Sequence, residues 1–398
     1  MIRMKRNNLL LLCCLLLALP ARADHPVEQM LRHVEQHNPG LQALRHQLEA
    51  QRASDRADNN LPDPEVSYTY TYGSPSALGR SSELNVVQEF DFPTSYASRR
   101  RLNRLKSTAL DQRYEAERRA LRRQARALCY DLVRLHREQA AQAGRLERAR
   151  GQVAAYERLL ENGRATALDV NRLRMEQMRA EAEAARIGAE QAAAQQALAA
   201  LCGDHPFAFE ADTYPPLPDL PPSRTLTDEV LTAHPELQWL NGLRAAADQQ
   251  VHVERNGWLP RLQVGYRRNT GSGEQFNGFI VGGSLPLFSN RNRVKASRAE
   301  ATAAQWQADQ ARTQAEADVT ARYEEARRLQ TALATFDLAL LAETEQLLTQ
   351  ALDGRSLPLT TYLKEMDDVF EARTACFDLE CQYYKVASDL LQDAGRME

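Results

Sequence analysis

From Thr94 to His205 the chain contains no proline, and this stretch restricts the fold more than any other feature of the sequence. Ala, Arg, Gln, Glu and Leu dominate it, all good helix formers. Apolar residues recur at steps of three and four: Leu121, Ala125, Leu128, Leu132 and Leu135, then Leu146, Ala149, Val153, Tyr156 and Leu160. Heptad-spaced seams of this kind pack helices as coiled coils. A helix continuous from Tyr96 to Asn162 would reach roughly 100 Å at 1.5 Å per residue. No ordinary globular core is that long.

The second half of the chain repeats the first. Asn38-Pro39-Gly40-Leu41 returns as His234-Pro235-Glu236-Leu237, Leu61-Pro62 as Leu259-Pro260, Tyr68 as Tyr266, and Gly163-Arg164 as Gly354-Arg355. The four pairs keep their order at offsets of 191 to 198 residues, which marks a duplication. Residues 24–203 form the first copy and 225–398 the second. Between them, 204–224 holds Pro206, Pro215, Pro216, Pro218, Pro221 and Pro222, an extended linker with no core of its own.

Each copy reads as helix, two strands, very long helix, glycine interruption and further helix. In the first, Val27 to Asn59 is helical, and Pro62 and Pro64 stop it. The first hairpin spans about 64–92 and the helices 94–202. Val66 to Tyr72 alternates strictly, Val or Tyr against Ser or Thr, giving one aromatic face and one hydroxyl face. Gly73 to Ser82 is a loop. The return strand, Leu84 to Phe92, sets Leu84, Val86, Phe90 and Phe92 on one side. The second hairpin spans about 261–288 and the helices 289–395. Leu262, Val264 and Tyr266 share a face, Asn269 to Glu274 is a glycine-rich turn, and Phe279, Val281, Gly283, Leu285 and Leu287 share a face of the partner strand. Two helical seams follow: Val319, Tyr323, Ala326, Leu333, Phe336 and Leu340, then Leu363, Met366, Phe370, Phe377, Cys381, Tyr384 and Leu391.

The N-terminus carries Arg3, Lys5 and Arg6, a leucine run from Leu9 to Leu19, and Ala21-Arg22-Ala23. This is a secretory signal peptide, residues 1–23, cut after Ala23. The apolar run is too short for a membrane-spanning helix, which needs roughly 20 residues. Cleavage removes four cations and no acid, taking the formal net charge from −3 to about −7. No later stretch is apolar enough to span a membrane as a helix, but transmembrane β-strands escape hydropathy, because only alternate residues face lipid.

The strands are 8 to 10 residues long, which crosses a bilayer when tilted. One aromatic face and one small polar face suit a wall between lipid and water. Tyr68, Tyr70, Tyr72, Phe90, Phe92, Tyr266 and Phe279 are the expected lipid-facing residues, tyrosines favouring the interface. Open sheet edges cannot face lipid, and four strands cannot close a barrel. Three chains would supply twelve. The fold class is mainly α with a small β part: a duplicated coiled-coil unit forming a periplasmic α-barrel, with four strands per chain completing a twelve-stranded transmembrane β-barrel in a homotrimer.

With these features the chain resembles the TolC-like outer-membrane factor family over nearly its whole mature length. Leu61-Pro62-Asp63-Pro64 before the first strand, and Gln88-Glu89-Phe90-Asp91-Phe92-Pro93 followed by Arg99-Arg100-Arg101 after the second, are similar to the CzcC-like heavy-metal branch. The resemblance implies an exit duct of a tripartite efflux system, working with a periplasmic adaptor and an inner-membrane pump and embedded in outer-membrane lipid. It also implies a periplasmic entrance near the two glycine interruptions, formed by Gly163, Arg164 and Asp169 in one copy and Asp353, Gly354, Arg355 and Thr360 in the other. Thr360 stands, by glycine spacing, where the best-known members place a second aspartate. Many members carry a lipid-anchored N-terminal cysteine; here Cys13 and Cys14 lie inside the apolar run instead. Arg164 and Arg355 are expected to hold the tip closed against acids such as Asp169 or Asp353. Asp169 can also act as a cap for the helix that restarts after Gly163.

No phosphate loop, nucleophile elbow or zinc-protease motif occurs; no enzyme activity, cofactor or metal site is expected. Cys376 and Cys381 diverge by roughly 140° on a helix and read as packing residues. Arg118, Arg119, Arg122, Arg123 and Arg126, interleaved with Asp111, Glu115 and Glu117, read as a solvated coiled-coil face rather than a nucleic-acid surface. His33 and His37 lie one helical turn apart with His46 nearby, and read as surface histidines. The competing functions are a periplasmic coiled-coil adaptor, or a duct for type I secretion or drug efflux.

Overall fold

The computed structural model describes residues 25–74, 79–203, 205, 207–271, 273–288 and 290–397. The expected signal peptide lies outside the described residues, as do residues 75–78 of the first hairpin loop. The first copy contains α1 (Pro26–His37), α2 (Pro39–Ala57), β1 (Glu65–Tyr72), β2 (Arg80–Phe90), α3 (Pro93–Glu161) and α4 (Ala167–Leu201). The second contains α5 (Ser223–Ala233), α6 (Pro235–Asn256), β3 (Arg261–Gly271), β4 (Glu274–Ser284), α7 (Arg293–Leu333), α8 (Leu338–Asp353) and α9 (Leu359–Asp393).

The repeated Asn-Pro and His-Pro dipeptides turn out to be helix breaks. Asn38 leaves helical geometry, its side chain accepts the Leu41 N–H at 2.8 Å, and Pro39 starts α2. His234-Pro235 divides α5 from α6 at the matching place. Proline suits a first helical position because its missing N–H would be unpaired there anyway. The helix expected to run unbroken from Val27 to Asn59 is therefore two.

The copies differ in their long helices. α3 runs through 69 residues without a break. In the second copy α7 stops at Leu333, and Asp337 caps a new helix by accepting the N–H groups of Ala339 and Leu340 at 2.9 and 3.0 Å. The seam read straight through Leu333, Phe336 and Leu340 is interrupted here. Thr335, Phe336 and Asp337 are modest helix formers, and aspartate satisfies orphan N–H groups better as a cap than inside a helix.

The chain divides into two compact units that cut across the repeat: residues 1–37 with 125–216, and 38–124 with 217–398. In the first, Val27, Met30, Leu31 and Val34 of α1 are fully buried, as are Cys129, Tyr130, Leu132 and Val133 of α3 and Leu173 and Ala180 of α4. Gln142 donates to the Ala180 carbonyl at 2.8 Å and Arg145 pairs with Glu176, so α3 and α4 lock side by side. The proline-rich linker lies along this unit: Phe209 is buried, and the Ala211 carbonyl lies 2.8 Å from His136 Nδ1.

In the second unit Leu226 and Val230 of α5, Val319 and Ala326 of α7, and Leu390 of α9 form one core. α9 buries Met366, Phe370, Phe377, Cys381 and Leu391 of the seam expected from its spacing, while Leu363 and Tyr384 are only half-buried. All four strands lie in this unit as one antiparallel sheet, ordered β1-β2-β3-β4. The two hairpins join through β2 and β3, from Ser81 opposite Gly271 to Phe90 opposite Leu262. Gly265 makes that approach possible, since a Cβ there would meet the Val86 carbonyl oxygen at 2.6 Å.

Candidate functional site

The register brings the aromatic residues of both copies onto one face. Tyr68 stands opposite Leu84, Val86 lies between Val66 and Tyr266, and Tyr266 stands opposite Phe279. Phe90 pairs with Leu262, and Val264 with Val281. Six of the seven residues expected to face lipid, Tyr68, Tyr70, Tyr72, Phe90, Tyr266 and Phe279, belong to this face. It is bare: Tyr72 is 78% exposed, Phe279 90% and Val281 85%. The reverse face carries Ser67, Thr69, Thr71, Glu83, Asn85, Gln263 and Arg267. Phe92 does not join them. β2 ends at Phe90, and Phe92 lines a cavity of about 720 Å³ with Arg99 and Asn290 where strand passes into helix. Here Asp91 accepts from Arg99 at 2.6 Å. Leu285 and Leu287 likewise lie past the end of β4, exposed.

The two glycine interruptions are Schellman turns, in which the last carbonyls of a helix are satisfied by a residue in the left-handed region. In the first unit Gly163 has φ +68°, the Arg164 N–H reaches the Leu159 carbonyl at 2.7 Å, and the Gly163 N–H reaches Leu160 at 2.9 Å. α4 then starts with a capping box: the Asp169 N–H donates to Thr166 Oγ1, and Asp169 Oδ2 accepts the Thr166 N–H at 3.1 Å and its hydroxyl at 2.6 Å. These hydrogen bonds, with Arg172 at 3.6 Å, hold the Asp169 carboxyl below the usual carboxylate range. Its ion partner within the chain is Arg172. Asp169 is thus a charged cap whose two oxygens already have partners.

In the second unit the left-handed residue is not Gly354 but Arg355, at φ +57°. The Ser356 N–H reaches the Ala351 carbonyl at 2.9 Å, and the Arg355 N–H reaches Leu352 at 3.0 Å. Gly354 keeps a helical φ of −74°. The equivalence by glycine spacing is therefore off by one: Arg355 matches Gly163, and Thr361, the third residue of α9, matches Asp169. Pro358 occupies the capping position and forms no side-chain cap. The two turns share a backbone but not a charge pattern.

The arginine run on α3 is not a solvated face. Arg122 and Arg126 are buried, and Arg123 meets Asp393 and, at 3.5 Å, Asp389 of α9. Arg322 and His234 close on the same Asp393 at 3.3 and 3.5 Å. These acids stand some 270 residues from Arg123 in sequence, beyond any local reading. Cys129, Cys202, Cys376 and Cys381 are buried thiols, and burial pushes that of Cys129 well up. No described helix is long and apolar enough to cross a membrane.

A search of solved structures finds the same fold in outer-membrane proteins. A membrane protein from Pseudomonas aeruginosa aligns over 94% of this chain and 91% of its own, at a TM-score of 0.79 and 18% identity. The CmeC outer membrane channel of Campylobacter jejuni aligns over 94% and 86%, at 0.77 and 15%. The open-state MtrE outer membrane channel of Neisseria gonorrhoeae aligns over 93% and 90%, at 0.71 and 16%. Among curated proteins, the nickel-cobalt-cadmium resistance protein NccC of Alcaligenes xylosoxydans xylosoxydans is 38% identical over 105 residues. That match covers 25% of this chain and 23% of NccC. The sequence pattern of the outer membrane efflux protein family matches residues 30–204 and 226–354, in both copies of the repeat. With that match and the shared fold, the chain belongs to the outer membrane efflux protein family.

Proposed function

We propose that the protein is the exit duct of a tripartite efflux system, a passive outer-membrane channel for cargo driven by an inner-membrane pump through a periplasmic adaptor. The observation that carries this is the sheet: four antiparallel strands, an exposed aromatic face, a polar reverse face, and outer edges at β1 and β4 that pair with no other strand of the described chain. In lipid every backbone polar group needs a partner, so such edges call for strands of other chains. Three copies give twelve strands and room for an aqueous lumen. A periplasmic adaptor has no use for a bare aromatic sheet.

The turns around Gly163, Arg164 and Asp169, and around Asp353, Gly354, Arg355 and Thr360, are proposed to belong to the periplasmic entrance. The capped state of Asp169 and the threonines of the second turn favour weak rather than strong cation preference there. The short match to a nickel-cobalt-cadmium resistance protein supports divalent metal ions as cargo. No catalysis is required of this chain. A deletion strain should lose resistance to divalent metals and keep its tolerance of lipophilic drugs. Drug sensitivity with unchanged metal tolerance would favour the drug-efflux reading, and loss of an exported polypeptide would favour type I secretion.

A further inference from the structure

We propose that His33 and His37 form a two-histidine chelate for a divalent transition-metal ion on one face of α1. The inference stands apart from the duct reading, because it concerns equilibrium binding by one chain. α1 buries Val27, Met30, Leu31 and Val34; His33 and His37 are half-buried beside that stripe, four residues apart and so neighbours on one helix face. Their ring centroids are 4.3 Å apart.

The hydrogen bonds fix each ring's tautomer. His33 Nε2 lies 2.8 Å from the His205 carbonyl oxygen. A carbonyl only accepts, so Nε2 is the donor, and in the neutral ring Nδ1 holds the lone pair offered to a metal. His37 Nδ1 lies 2.9 Å from the His33 carbonyl oxygen, so Nδ1 is the donor, and in the neutral ring Nε2 holds the lone pair. Each imidazole is anchored through one nitrogen to a backbone carbonyl. This is the arrangement that orients metal-bound histidines and raises their basicity. The His205 ring lies 4.4 Å from that of His37, and Phe207 flanks His33 at 5.0 Å.

Among the described residues no three or more His, Cys, Asp or Glu side chains stand together ready for a metal ion. The protein thus supplies two nitrogens, and water completes the shell. The rings are tilted by 36°, so chelation brings the two donor nitrogens together by a rotation of the side chains. Imidazole donors with open positions suit nickel, cobalt, copper or zinc rather than magnesium or calcium.

The test is calorimetric titration of the mature protein, purified without a polyhistidine tag, with nickel chloride and with cobalt chloride. The expected result is one equivalent bound per chain, lost in His33→Ala and in His37→Ala and retained in His46→Ala, whose ring faces Glu49 on α2. Copper loading followed by electron paramagnetic resonance should show coordination by two nitrogens, absent from the double variant. Circular dichroism of the variants checks that α1 remains folded. No binding by the parent protein, or the same equivalent kept by the double variant as an adventitious ion only, would overturn the proposal.

Discussion

Two residues at corresponding turns illustrate how differently the copies solve one backbone problem. Gly163 enters the left-handed region at no steric cost, whereas Arg355 enters it with a side chain, at a cost of roughly 1 kcal/mol. Arg355→Gly should therefore stabilise the end of α8 by about 1 kcal/mol, seen as slower amide hydrogen exchange over its last turn. Unchanged or faster exchange would show that the arginine makes up the cost through its contacts. At the first turn, cap and charge can be separated. Thr166→Ala removes the hydroxyl that caps α4, at about 1 kcal/mol, and keeps the carboxylate. Asp169→Asn removes the charge and keeps the Thr166 hydroxyl. Reduced cation preference in Asp169→Asn alone assigns a selectivity role; equal channel behaviour in both leaves only the cap. The Asp169 carboxyl is held below its ordinary range by hydrogen bonds to Thr166. Its contribution to stability is thus complete at neutral pH and is lost only as the pH falls through the depressed folded value. Acid titration of helix content near the turn, compared between the parent and Asp169→Asn, should show this difference only on the acid side.

At the level of elements, strict alternation of period two made the strands legible, and the face they share followed from it. Joining the hairpins through β2 and β3 was not legible, because residues roughly 180 positions apart carry no local signal of pairing. The same limit hid the ion pairs of Arg123, whose acids Asp389 and Asp393 arrive from α9, and hid His205 beside His33 and His37. Breaks were missed for a different reason: periodicity continues past Asn38 and Asp337, and side-chain capping rather than the apolar pattern ends the helix there. The sheet gives the prediction of this scale. Val281→Arg places a charge on the bare face and should destabilise assembly in membranes by about 2–4 kcal/mol if it lies near the bilayer centre. Gln263→Arg, on the reverse face, should assemble normally. The yield of heat-resistant oligomer in outer-membrane extracts distinguishes them, and equal loss in both would argue against a lipid-facing role for the aromatic side.

For the molecule as a whole, duplication supplies two hairpins and a set of long helices, and burial divides them into units that ignore the boundary of the repeat. What remains unpaired is the sheet: its outer edges and its apolar face have no partner within the described chain. Hydrogen bonding and the hydrophobic effect each call for something beyond one copy, strands at the edges and lipid on the face. The most direct measurement combines the native mass of the mature protein, extracted from outer membranes in detergent, with its conductance in a planar bilayer. The account predicts a mass of three chains and discrete, long-lived conducting steps. A stable monomer that stays in solution without detergent and conducts nothing would contradict it.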